Sequence, residues 1–108
     1  MAPSRRVSAV LDRLLLDRKG RVRPVDSRAL DGFDVHVVDD WCAEQGVDVV
    51  PTHELVGWLR YRIAGRRAIE VAAGCGAIGR ALGIPASDST PSAPDVEVSE
   101  AMDAVRRY

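Results

Sequence analysis

The sequence predicts an α/β fold in which the first two parallel strands are flanked by helices and preceded by an N-terminal helical region. Three observations carry that expectation. Apolar residues recur at helical spacing over 52–64 and give way to a short strand-like segment at 68–72. A glycine-rich turn, Gly74-Cys75-Gly76, follows that segment at once. A second apolar stretch at 84–87 then ends on Asp88. At 108 residues the chain has room for one small globular unit.

The elements can be justified in order. Val7, Val10, Leu11, Leu14 and Leu15 fit an amphipathic helix, with Gly20 as its stop and Pro24 opposing a restart. Residues 20–32 read as loop. Phe33, Val35 and Val37 alternate with Asp34 and His36 as in a strand, while Val38 to Gln45 reads equally well as a helix closed by Gly46. Asp39-Asp40 is read as a helix start. Thr52 suits a helix cap, Glu54 suits the positive first turn, and Leu55, Val56, Leu59 and Ile63 share helical spacing. Gly65 is the expected stop. A short helix to about Leu82 should follow the glycine turn, residues 89–95 read as linker, and Glu100 to Tyr108 reads as a last helix capped by Ser99. The chain thus divides into an N-terminal helical or mixed extension, 1–50, and a second unit, 51–108.

Composition narrows the classes. Hydrophobic content of 46% with 29% charged residues is that of a soluble globular protein. No apolar run approaches the roughly 20 residues of a membrane helix. Asp12, Arg13 and Asp17 interrupt the apolar residues near the N-terminus, which leaves no signal-peptide core and points to the cytoplasm. Two cysteines, Cys42 and Cys75, are too few for a disulfide scaffold. His36 and His53 have no partner at metal-ligand spacing, so no metal site is expected. Trp41 and Cys42 read as core. Residues 1–23 carry seven basic and two acidic side chains. That basic start offers electrostatic contact with nucleic acid, but a solvated helix face beside the acidic segment 24–59 is the favoured reading.

The informative constellation is Glu70-Val71-Ala72-Ala73-Gly74-Cys75-Gly76, placed between a strand and a helix. A turn there that receives a ligand must bring its backbone close, which a Cβ atom obstructs. Asp88 ends the next strand, where a carboxylate faces the same crevice and can accept ribose hydroxyls. Cys75 sits where a thiolate would be stabilised, although a small residue fitting the turn is the simpler reading. This run resembles the first motif of the class I, Rossmann-like, S-adenosylmethionine-dependent methyltransferases, with Glu70 as the acid and Gly74 and Gly76 as the second and third glycines. Ala72 stands where the family has its first glycine. The resemblance covers about residues 51–88. It implies a partial three-layer Rossmann-like fold, S-adenosylmethionine as cofactor, and Glu70, Ala72, Gly74, Cys75, Gly76 and Asp88 as the residues around it. In the family the first acid helps hold the amino-acid end of the cofactor and the second binds the ribose. The spacing from Glu70 to Asp88 is several residues shorter than the family's, so the intervening helix should lack about a turn.

Two other readings of the same glycines stay open. Gly74 to Gly79 fits G-x-G-x-x-G, the dinucleotide fingerprint, but Glu70 would place a charge in a strand normally apolar throughout, and Asp88 comes early for that fingerprint. The turn can also be purely structural. Two parallel strands cannot cover both faces or protect their edges. The expectation is therefore a fragment, a remnant or a piece completed by a partner chain, prone to self-association, with nothing after Asp88 that resembles a catalytic segment. A non-catalytic interaction module that keeps a relic nucleotide turn is the competing functional class.

Overall fold

A computed structural model of the chain describes residues 5–107. It is mostly helical, with five α-helices and a small two-stranded parallel sheet near the C-terminus. The helices are α1 (Arg5–Leu15), α2 (Val35–Gln45), α3 (His53–Ile63), α4 (Ala77–Leu82) and α5 (Ala101–Arg107), with a 3-10 turn at Ser27–Leu30. The strands are β1 (Ser87–Asp88) and β2 (Glu97–Val98), paired Ser87 with Glu97 and Asp88 with Val98.

The N-terminal helix ends at Leu15, before Gly20. The chain reverses there, pairing Leu16 with Val22 in an antiparallel bridge. Asp17 fixes the turn by accepting the Lys19 and Arg21 amides at 2.8 and 2.9 Å. The strand reading of 33–37 is corrected to helix. Asp34 is the cap of α2, its carboxylate accepting from the His36 amide at 2.8 Å, so helical geometry begins inside the alternating segment. Asp39 and Asp40 consequently lie within α2 and do not start it. Gly46 closes α2 in the left-handed conformation, as expected.

Helix α3 follows its sequence signals. The Thr52 hydroxyl accepts from the Leu55 amide at 3.1 Å. Its left-handed closing residue is Ala64, one position before the expected Gly65. Residues 68–72 form only a single parallel bridge, Glu70 with Ala86, in place of a strand. The segment bends away at Val71 and Ala72, and Ala72 has φ +50°. The Glu70 amide donates to Pro85, Ser87 donates back to Glu70, and Ala73 donates to Ser87, each at 2.9 Å. The second expected strand, 84–87, appears as a bridge at Ala86 continuing into β1. The sequence reading did not foresee β2. Ser99 does not cap α5: its hydroxyl donates to the Glu100 carbonyl and accepts from Arg107. Tyr108, the expected last residue of that helix, lies outside the described residues, as do residues 1–4 of the N-terminal extension.

The core is centred on the N-terminal helices. Leu11, Leu15, Val22, Val25, Trp41, Cys42 and Val50 pack together, and Cys75 from the glycine turn and Ala77 from α4 join them. Trp41 is fully buried, and its indole N–H donates to Asp12 at 2.8 Å, tying α2 to α1. No helix among the described residues is long and apolar enough to cross a membrane.

Candidate functional site

A cavity of about 390 Å³ lies between the end of α2 and the glycine turn, within the range of roughly 300–1,000 Å³ common for small-molecule pockets. Ala43, Gly46, Val47, Asp48 and Val49 form one wall. Glu70, Ala72, Ala73, Gly74, Ala77, Ile78, Asp88, Thr90 and Ser92 form the other. The extended segment at Glu70, helix α4 and strand β1 thus deliver two carboxylates to one concavity, because Glu70 and Asp88 end adjacent parallel segments.

Each carboxylate is already engaged. The Glu70 Oε1 accepts from the Gly79 amide at 2.8 Å. Partial burial pushes the Glu70 carboxyl above its ordinary range; the Gly79 bond and the charge of Arg80 oppose that rise, and the nearby Asp48 adds to it. Asp88 differs. Its Oδ1 accepts from Thr90 at 2.9 Å and its Oδ2 from Gly74 at 2.8 Å, and these amides hold its carboxyl below the usual carboxylate value. A carboxylate oxygen has two lone pairs, so acceptor capacity remains on both side chains for a ligand.

The six residues marked from the sequence separate into two groups. Glu70, Ala72, Gly74 and Asp88 line the cavity. Cys75 and Gly76 are buried and do not line it. Cys75 packs in the core, and burial pushes its thiol up; the Cys42 thiol is pushed up to about 11. A buried thiol pushed upward lacks the thiolate character that a nucleophilic Cys75 would need.

The glycines also have reasons internal to the fold. A Cβ on Gly74 would lie 2.0 Å from the Gly46 carbonyl oxygen, which accepts from the Cys75 amide at 3.0 Å. A Cβ on Gly76 would meet Val96 at 2.7 Å. Close backbone approach is thus demanded here by α2 and the β2 segment themselves. Ala72, standing at the motif's first glycine position, keeps the left-handed backbone that a glycine would adopt more easily.

Asp48 was missed by the sequence reading. It reaches the site from the loop after α2, 22 positions before Glu70, and an acid between two valines carries no motif. With it, the charged side chains lining the cavity are Asp48, Glu70 and Asp88, all acidic. Among the described residues no cluster of His, Cys, Asp and Glu is arranged to hold a metal ion. No family model, curated protein or solved structure matches the chain.

Proposed function

We propose that the chain is the S-adenosylmethionine-binding portion of a methyltransferase-like protein, with a partial Rossmann-like arrangement at its centre. One observation carries the reading: Glu70 and Asp88 end adjacent parallel segments and line a single cavity together with the glycine turn that connects them. The order of the three parallel segments, with 86–88 between Glu70 and β2, agrees with one half of a doubly wound sheet. Glu70 would hold the cationic amino group of the methionine moiety, and Asp88 the ribose hydroxyls. Ala72 and Gly74 would lie along the cofactor.

The all-acidic lining favours this cofactor over NAD. A dinucleotide brings a pyrophosphate, which Asp48, Glu70 and Asp88 would repel, whereas S-adenosylmethionine brings a sulfonium and an ammonium. A second reading is favoured by the internal bonds to Gly74 and Gly79. The two carboxylates serve the ligand-free fold, so a non-catalytic module could keep them for structure alone. None of the lining residues is assigned to methyl transfer in this proposal.

Calorimetric titration with S-adenosylmethionine, S-adenosylhomocysteine and NAD separates the readings. The expected result is binding of both adenosyl ligands more tightly than NAD, weakened by Glu70→Ala and by Asp88→Ala. Tighter NAD binding, or S-adenosylhomocysteine binding untouched by both substitutions, would overturn the cofactor assignment. Binding of none of the three would leave the structural-module reading in its place.

A further inference from the structure

Helix α3 carries a second surface, remote in chemistry from the acidic cavity. Its inner side buries Val56 and packs against α4. Its outer side presents Trp58, 58% exposed, and Tyr61, 76% exposed. Trp58, Tyr61 and Arg62 stand at i, i+3 and i+4, so they share one stripe of the helix. The Arg62 guanidinium lies over the Trp58 ring, 5.9 Å from its centroid, which orients the indole and leaves both groups at the surface.

Positive charge is concentrated at the same end. Arg60, Arg62, Arg66 and Arg67 fall within eight positions, and residues 55–69 contain no acid. None of the four is ion-paired among the described residues. Arg60 donates to the Ala81 carbonyl and Arg66 to the Ile63 and Arg62 carbonyls, contacts that fix the guanidinium groups without cancelling their charge. A shallow depression lined by Leu59, Arg62, Arg66 and Arg67 runs on from the aromatic stripe.

We propose that this face of α3 binds single-stranded nucleic acid, with Trp58 and Tyr61 stacking on unpaired bases and Arg62, Arg66 and Arg67 meeting the phosphates. The pairing of flat exposed rings with uncompensated guanidinium groups selects this partner. An acidic peptide would use the arginines and leave the rings idle. A duplex keeps its bases stacked on one another and offers the rings nothing. The inference does not depend on the cofactor reading, since the two surfaces share no lining residue.

Trp58 is its own reporter, because the other tryptophan, Trp41, is fully buried. Titration of the whole chain with a twelve-nucleotide oligo-dT or oligo-U should quench tryptophan fluorescence. Anisotropy of the labelled oligonucleotides should give affinities that fall with salt, the logarithmic slope shrinking by about 0.7 for each phosphate contact removed. Trp58→Ala and Tyr61→Ala should each weaken binding roughly tenfold, as loss of one stacked base does. Arg62→Ala with Arg67→Ala should weaken it and flatten the salt slope. Circular dichroism checks that these exposed-site variants remain folded. Preference of dT over U, or the reverse, identifies the kind of strand. The proposal is overturned by absence of binding, by duplex DNA binding more tightly than either single strand, or by heparin competing at equal charge while the aromatic variants bind normally.

Discussion

In the N-terminal region seven apolar side chains, from Leu11 to Val50, are buried against one another, with Trp41 at the centre. In the strand–turn–strand region the order comes largely from backbone amides. Gly74 and Thr90 donate to Asp88, Gly79 donates to Glu70, and three further bonds join 70–73 to 85–87. Among the described residues the single fully buried polar one, Ser87, sits in that second region, and its hydroxyl has no partner there. The contrast teaches where a ligand could act. The first region buries its core without one. The second region leaves an open acidic concavity against the end of α2, where a bound ligand would add contacts to Glu70 and Asp88.

The contrast should be broken most strongly at Trp41. Trp41→Ala removes the core's largest buried side chain and the indole bond to Asp12, with an expected loss of about 3–5 kcal/mol. Denaturant unfolding followed by circular dichroism measures it. A loss under about 1 kcal/mol would show that the first region is not held by side-chain burial.

Gly74→Ala tests the seam between the regions. The new Cβ would meet the Gly46 carbonyl at 2.0 Å with φ at +57°, so backbone must move. The expected cost exceeds about 1 kcal/mol, and the cavity wall shifts with it. Unchanged stability would mean that the turn does not pack on α2 as described.

Glu70→Gln sharpens the electrostatic side of the comparison. Burial raises the Glu70 carboxyl above the ordinary 4.5, so the folded state holds the proton more tightly than the unfolded chain. Its contribution therefore favours folding at acid pH and is lost as pH rises from 4.5 through the folded value. Asp88 works in the opposite sense: its stabilisation is present above 3.8 and is lost as pH falls through the lowered folded value. Glutamine keeps an acceptor for Gly79 and removes the titration. Relative to the parent, Glu70→Gln should gain stability between pH 4 and 7 in thermal melts, a range set by the usual carboxylate values of about 4 and neutrality. A variant whose difference from the parent does not change with pH would contradict that assignment.

The smallest effect is expected at Ala72. Left-handed backbone costs an L-residue roughly 1–2 kcal/mol, and glycine's greater unfolded-state freedom offsets about half. Ala72→Gly should therefore stabilise by about 0.5 kcal/mol. Destabilisation in chemical unfolding would indicate that the Ala72 methyl group is packed rather than strained.

How much of this was legible depended on whether the signal was local. Helix α3 announced itself because Thr52 caps it and its apolar residues keep one spacing. Helix α2 was legible only in part: Val38 to Gln45 with Gly46 offered a helix, but its start was hidden, since Val35 and Val37 alternate with polar neighbours and the deciding feature is the Asp34 side chain bonding to the His36 amide. Strand β2 has two residues, too few to show a period, and is defined by its partner 10 positions earlier. At the site, Glu70 was marked because it stands four residues before the glycine turn, and Asp88 because it closes the next apolar stretch. Asp48 was not, because only folding of the loop after α2 brings it there. The glycines were legible as a tight approach, but not what approaches: Gly46 and Val96 were not visible as their neighbours.

The central proposal is that an adenosyl cofactor binds in the cavity between these two regions. Amide hydrogen exchange at Gly74 and Gly79, whose N–H groups are held by Asp88 and Glu70, reads that site directly. Saturating S-adenosylhomocysteine should slow exchange at both amides and leave α1 unchanged, while NAD at the same concentration should slow neither. Exchange at both positions that is indifferent to S-adenosylhomocysteine, or slowed equally by NAD, would contradict the account.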